Sequence, residues 1–259
     1  MGIGFGGPVD DATTCIIKSH QIEGWDNFPL AAWISDMLSV PAVLGNDADV
    51  AGLAEATFGA AKGLSSVFYV TIGSGIGGGL VVDGKIFRGC GRGAAEIGHL
   101  LVTSNGPNGV EQRPLDLWSS GWSIQRQARE QIRAGIGKDS LVLRLANGQI
   151  NEITAEHVSK AASEFDPFAL AILDHAWSCL AEGLCQVIAL LSPRRIVIGG
   201  GVGMMGETVL FEPLRKKVAE KVFRPFAACY DIAPAALGEE VVVQGALTLA
   251  RNRRVSGEL

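Results

Sequence analysis

Residues 67–80 read VFYVTIGSGIGGGL, and the reading of this stretch decides how the rest of the chain is understood. Val67, Tyr69 and Thr71 alternate with Phe68, Val70 and Ile72, a β-branched and aromatic run that predicts a strand. The run breaks into Gly73, Gly75, Gly77, Gly78 and Gly79, spaced only by Ser74 and Ile76. Where a buried strand ends in a side-chain-poor loop, backbone N–H groups can approach an anion closely, and phosphate is the commonest such anion. The same residues also suit a tight, glycine-rich hairpin that binds nothing. Gly73-Ser74-Gly75-Ile76-Gly77-Gly78 matches the dinucleotide pattern G-x-G-x-x-G, but that pattern needs a helix after the glycines. The next residues are LVVDGKIF, with an Asp83-Gly84 turn between two apolar runs, so a hairpin is expected and the match is accidental.

A second glycine stretch lies at RRIVIGGGVGMMGETVLFEPLRKKV, which reads as strand, loop and helix. Gly201-Val202-Gly203-Met204-Met205-Gly206 again matches the dinucleotide pattern. The acidic residue about twenty positions on is Glu220, which falls inside the helix rather than at a strand end. A base or ribose packed on this loop is consistent with the sequence; a whole dinucleotide site is not. Neither a Walker A segment nor a G-x-S-x-G nucleophile elbow occurs.

Between and around these loops the chain alternates helical and strand patterns. Pro41 to Asp47 (PAVLGND) is a short apolar strand ending in two polar residues, and a helix from Ala48 to Lys62 comes at once after it. A polar pair where a strand meets a helix sits where α/β folds place ligands. Asp47 can accept a proton from a substrate hydroxyl that Asn46 positions, or either residue can simply cap the helix. Glu96 and His99 are three apart and share a face if they lie on one helical turn, suiting them to hydroxyl groups, to a metal, or to nothing beyond solvent and core. Helices are also expected over residues 30–38, 115–132 and 241–253. Asp166-Pro167 starts a long apolar helix that Pro193 ends. The segment 105–114 (NGPNGVEQRP) reads as a loop, and the closing RRVSGEL should fray.

With 259 residues, 47% of them apolar, the chain can hold one large or two modest domains. A net charge of −5 without a Lys/Arg cluster argues against a nucleic-acid surface within these residues. Cysteines 15, 90, 179, 185 and 229 are odd in number and lack C-x-x-C spacing, which fits a reduced, cytoplasmic compartment. The apolar region 168–191 is interrupted by Asp174, His175, Glu182 and Gln186 and reads as a core helix, not a membrane span.

Taken in order, GIGFGGPVD, GNDADVAGLAE, YVTIGSGIGGGLVVDGKIFRG, AAEIGHLLV, LDLWSSGWSIQRQA and IVIGGGVG resemble the ROK family of sugar kinases and sugar-responsive repressors, from Gly2 to about Arg251. AAEIGHLLVTSNGP looks most like the N-acetylmannosamine kinase branch, and glucokinases share much of it. The resemblance implies an α/β, actin-like (ribonuclease H-like) two-lobed sugar kinase fold with its first lobe incomplete. Residues 1–47, with helix 243–259 packing back on them, would be the remainder of the small lobe; 48–242 would be the large lobe. It implies Asp47 as the general base, with Asn46, Glu96, His99, Gly7, Ser19 and Asp116 around the sugar. Thr71, Gly73, Ser74 and Gly75 would face ATP phosphates, and Gly200 and Gly201 the adenosine. The implied cofactors are ATP and Mg²⁺, the implied assembly is a homodimer, and no membrane is involved.

Two departures from the family pattern carry expectations of their own. The zinc loop C-x-C-G-x-x-G-C is replaced by residues 109–114 (GVEQRP), so no structural zinc is expected, and Asp116 stands one methylene short of a sugar-binding Glu. The family's opening D-x-G-G-T segment has no counterpart, so Met1 is read as an internal start or the chain as a fragment with little turnover of its own. The runner-up functions are the sensing domain of a sugar-responsive regulator and, more weakly, a nicotinamide-dependent oxidoreductase.

Overall fold

The computed structural model describes residues 1–19, 22–91, 93–106 and 109–255. The chain runs β1 (Gly2–Phe5), β2 (Val9–Asp10), β3 (Cys15–Ile16), α1 (Leu30–Leu38), β4 (Val43–Asn46), α2 (Asp47–Thr57), β5 (Ser66–Ile72), β6 (Ile76–Val82) and β7 (Lys85–Ile86). It continues through β8 (Leu101–Gly106), β9 (Gly109–Pro114), α3 (Asp116–Ser119), α4 (Gly121–Arg133), α5 (Leu141–Leu145), α6 (Ala155–Ser163) and α7 (Pro167–Leu191). The last elements are β10 (Arg195–Gly199), α8 (Gly200–Gly203), α9 (Glu212–Lys221), β11 (Asp231–Pro234) and α10 (Val241–Val255).

The central sheet has the order β11-β10-β5-β6-β7, in which β10 is parallel to both neighbours while β6 pairs antiparallel with β5 and β7. Because side chains alternate along a strand, β5 serves two cores. Phe68, Val70 and Ile72 join Trp177, Leu180 and Leu184 of α7 on one face. Val67 and Tyr69 meet Val50, Leu53 and Leu249 from α2 and α10 on the other. Burial on both faces explains why β5 lacks the polar alternation of a surface strand. A separate parallel pair, β1-β4, runs with Gly2 opposite Val43 and Phe5 opposite Asn46. It is closed by a third apolar group that includes Phe5, Ile16, Leu30 and Leu44.

Helix α7 begins as its sequence signals require. Asp166 Oδ1 accepts the Ala169 N–H at 2.8 Å, Pro167 is the first helical residue, and Ser192 closes the helix in the left-handed region at φ 43°. It is long and apolar enough to cross a membrane, but Ile172, Trp177, Leu180, Leu184 and Ile188 are buried in the protein's own core.

Three expectations are corrected. Gly77, Gly78 and Gly79 belong to β6 rather than to a loop, so the turn is only Gly73–Gly75. They are needed for close packing: a Cβ on Gly78 would stand 2.2 Å from the Ala95 carbonyl oxygen, and one on Gly79 2.8 Å from that of Ala48. The helix expected over 115–132 is broken at Ser120 (ψ 163°), whose Oγ accepts the Ser123 N–H at 3.2 Å and starts α4. The stretch 105–114, expected as a loop, forms much of the β8-β9 hairpin, with Leu101 opposite Pro114 and Gly106 opposite Gly109; residues 107–108 lie outside the described ones. Helix α10 extends to Val255, and residues 256–259, part of the stretch expected to fray, lie outside the description as well.

Candidate active site

The strand-to-helix junction at residues 46–49 anchors the site. Asn46 is the N-cap of α2: its Oδ1 accepts the N–H groups of Ala48 (2.9 Å) and Asp49 (3.2 Å), and its Nδ2 donates to the Gly7 carbonyl at 3.0 Å. One side chain thus satisfies two N-terminal amides and ties the end of β1 to α2. Asp47 is therefore not the cap. It is the first helical residue, and its Oδ1 accepts the Ala48 N–H at 2.8 Å. Burial pushes its carboxyl above the ordinary 3.8, against the opposing pull of the backbone amides of Ala48 and Asp47 itself.

Asp47 lines a cavity of about 810 Å³ together with Tyr69, Thr71, Gly200 and Gly201. Burial, and after it the charges of Glu55 and Asp47, pushes Tyr69 up to about 12 and keeps it a neutral hydroxyl on this wall. A second cavity of about 750 Å³ is lined by Gly73, Ser74, Trp122, Glu156, Lys160 and Val202, among others. The two share Gly201 and Met204, so the cavity beside Asp47 and the cavity beside the turn after β5 border the same residues. Gly201 and Gly73 both leave open space where a side chain would project. Gly200 sits at φ +81°, with its Cβ position 2.6 Å from the Ile72 carbonyl oxygen, so only glycine fits between α8 and β5.

Glu96 precedes a short 3₁₀ turn, Ile97–His99, and both Glu96 and His99 are exposed. Partial desolvation raises the Glu96 carboxyl; the His99 charge opposes that shift and the Asp47 charge adds to it, which puts these three groups in one electrostatic neighbourhood. Gly7 is held against the segment before Ser19, a Cβ there being 2.9 Å from the Lys18 carbonyl oxygen. The Ser19 Oγ accepts the Ile22 N–H at 2.9 Å, and its own N–H is held by Asp26. Asp116 goes to the glycine turn, where its Oδ1 accepts the Ile76 N–H at 2.6 Å. Among the described residues no group of three or more His, Cys, Asp or Glu side chains is placed to hold a metal ion.

Some neighbours of the site carried no readable sequence signal. Asp49 is only 2% exposed, its Oδ1 has no hydrogen-bond partner, and its carboxyl is pushed up to about 7 by burial, with the Arg88 guanidinium pulling the other way. Trp122 and Met204, 67% and 81% exposed, flank the second cavity. The one hint available was that Met204 stands in the glycine-rich stretch 199–206 and Trp122 directly follows Gly121.

The family model for the ROK family matches residues 1–253. The glucokinase of Thermotoga maritima is 33% identical over 255 residues, which cover 98% of this chain and 79% of that protein. The bifunctional NanE/NanK enzyme of Brucella melitensis biotype 1 is 34% identical over 226 residues, covering 86% of this chain and 38% of that enzyme. Among solved structures, a ROK family glucokinase from Streptomyces griseus in complex with glucose and AMPPNP superposes with a TM-score of 0.84 at 30% identity, over 97% of this chain and 81% of that one.

Proposed function

This chain belongs to the ROK family, and we propose that it is a sugar kinase which transfers the γ-phosphoryl group of ATP to a hydroxyl of a hexose or N-acylhexosamine. One observation carries the reading: the Asp47 carboxylate opens onto the same cavity as Thr71, Gly200 and Gly201, and that cavity shares Gly201 and Met204 with the one lined by Gly73 and Ser74 of the glycine turn. The hydroxyl oxygen of the sugar bonds to the γ-phosphorus, the bond from that phosphorus to the bridging oxygen breaks, ADP leaves, and the hydroxyl proton passes to Asp47. Asn46, locked by its three hydrogen bonds, fixes the backbone around that base. Glu96, His99, Gly7 and Ser19 surround the sugar, and Thr71, Gly73, Ser74 and Gly75 face the phosphates. Gly200 and Gly201 lie against the adenosine. Positioning and fixed dipoles supply most of the rate in such a transfer, so a site built from backbone and one carboxylate suits the chemistry.

Magnesium fits these residues as an ion carried by the nucleotide, since no protein cage for it exists among the described residues and Mg²⁺ keeps several waters and phosphate ligands. When bound, it neutralises charge on the phosphate oxygens. A homodimer and a cytoplasmic location complete the proposal, tested by light scattering and by fractionation.

The experiment is ADP release by the intact gene product with ATP against a panel of glucose, N-acetylmannosamine and other hexoses. Sugar-dependent ADP formation is expected, and Asp47→Asn should lower kcat by roughly 10²–10⁴-fold while sugar affinity changes little. If every sugar leaves ADP formation at background, or if turnover survives the substitution, the reading fails. A sensing domain would bind sugar with no such turnover.

A further inference from the structure

The geometry points to Asp116 as a positioning residue for the nucleotide phosphates, a brace that sets the shape of the 73–76 turn, in place of the sugar contact that its position implies. This rests on the kinase reading for its consequence, though not for its geometry. Asp116 is the first residue of α3, and the backbone that presents it is held on both sides. The preceding Leu115 is fully buried and donates its N–H to the Leu100 carbonyl at 2.8 Å, while the Asp116 carbonyl accepts the Ser120 N–H at 3.3 Å. From this base the carboxylate reaches the turn through a single short hydrogen bond, Ile76 N–H to Oδ1 at 2.6 Å.

The same turn is gripped twice more by the α3-α4 junction. Gly121 N–H donates to the Gly73 carbonyl at 2.8 Å and Trp122 N–H to the Ser74 carbonyl at 3.3 Å, while Gly73 N–H closes on the Gly75 carbonyl at 2.9 Å. These bonds turn the carbonyl oxygens of Gly73 and Ser74 back into the protein. Oxygens turned inward cannot repel an incoming phosphate. Asp116 completes the set from the far side, by holding the amide that comes after Gly75. The contact is close: a Cβ on Gly75 would stand 3.0 Å from Asp116 Oδ1, so a side chain there would press on the carboxylate. A carboxylate one methylene longer, on the same anchored backbone, would have to fold back or displace the turn to keep the 2.6 Å bond to Ile76.

Acceptor and charge act in opposite directions on a bound nucleotide. The acceptor orders the turn, whereas the negative charge repels the phosphates, so the two can be separated by substitution. Binding of an ATP analogue and of sugar is measured separately by calorimetry, beside amide hydrogen exchange at Ile76, on the wild type and three variants. Asp116→Ala should lose exchange protection at Ile76 and weaken nucleotide binding roughly tenfold or more, with sugar binding within about twofold. Asp116→Asn retains an acceptor and sheds the charge, so nucleotide binding should stay within about threefold of wild type or tighten, with Ile76 still protected. Asp116→Glu should weaken nucleotide binding.

If Asp116→Ala weakens sugar binding and leaves nucleotide binding and Ile76 exchange unchanged, Asp116 is a sugar ligand and the proposal is overturned. If Ile76 exchange is unchanged in Asp116→Ala, the brace itself does not exist in solution. Exchange at Ile76 needs no turnover. Loss of protection in a protein that phosphorylates nothing would leave the brace standing and remove only the kinase reading.

Discussion

Asp47 and Asp49 stand two residues apart on α2, and both carboxyls are pushed up by burial, with different consequences. Asp47 opens on a cavity and, as the proposed base, would act only when ionised. Its raised pKa therefore places the acid limb of kcat/KM above the pH at which an ordinary Asp, at 3.8, would set it. Asp49 is buried, lines neither of the two cavities, and faces Arg88, Glu96, Asp47 and Asp11. Its folded pKa of about 7 lies above the unfolded 3.8, so its contribution is most favourable below 3.8 and is lost as pH rises to about 7. That gap caps the loss at roughly 4 kcal/mol. Asp49→Asn removes the buried charge, so thermal melts should show the variant gaining on the wild type between pH 4 and 7 and holding a constant lead above pH 7. A lead that shrinks with rising pH would contradict this.

At the level of elements, α2 is fastened at both ends. Asn46 holds its start, and buried Glu55 accepts the N–H groups of Ala60, Ala236 and Leu237 at 2.7–3.0 Å near its end. Between them the helix lies directly on the glycines of β6. A methyl group on Gly79 would meet the Ala48 carbonyl oxygen at 2.8 Å and the Asp49 Cα at 3.0 Å, so Gly79→Ala must move the first turn of α2 and Asp47 with it. The expected cost is roughly 1–3 kcal/mol in denaturant melts. Catalysis depends on sub-ångström placement, so kcat should fall by about 10²-fold in protein that is still folded. Loss of stability with kcat intact would show that β6 does not set the position of Asp47, the proposed base.

Across the whole molecule, α10 brings the end of the chain against its beginning. A Cβ on Gly245 would lie 1.8 Å from the Val50 carbonyl oxygen and one on Gly2 1.8 Å from that of Ala246, so this helix touches α2 and β1 backbone to backbone. An ionic chain takes the same path. Arg253 pairs with Asp11 at 2.9 Å, and Arg88 lies 3.4 Å from Asp11 and 3.7 Å from the buried Asp49. Arg88 thus links the β2-β3 hairpin, the segment after β7 and helix α2. Removing it leaves Asp49 without its nearest cation, which matters only where Asp49 is ionised. Arg88→Ala should therefore destabilise by roughly 3 kcal/mol at pH 8 and distinctly less at pH 5.5. Equal losses at the two pH values would place the role of Arg88 in packing instead.

The sequence by itself determined what short-range chemistry can carry. The β-branched run before Gly73 had to be a strand, Asp166-Pro167 had to open a helix, and the order of the motifs was enough to point to the family. The first two of these signals depend on neighbours within a few positions, and the third is a string of such local motifs. Tertiary structure alone decided that Gly77, Gly78 and Gly79 lie inside a strand, because the reason is the backbone of α2 and of residue 95 pressed against them. It alone decided that Asp49 is buried with an unpaired oxygen while Asp47, two residues earlier, reaches a cavity. It also decided that Asp116 serves a turn forty positions away, since a hydrogen bond over that separation exists only once the chain has folded around it.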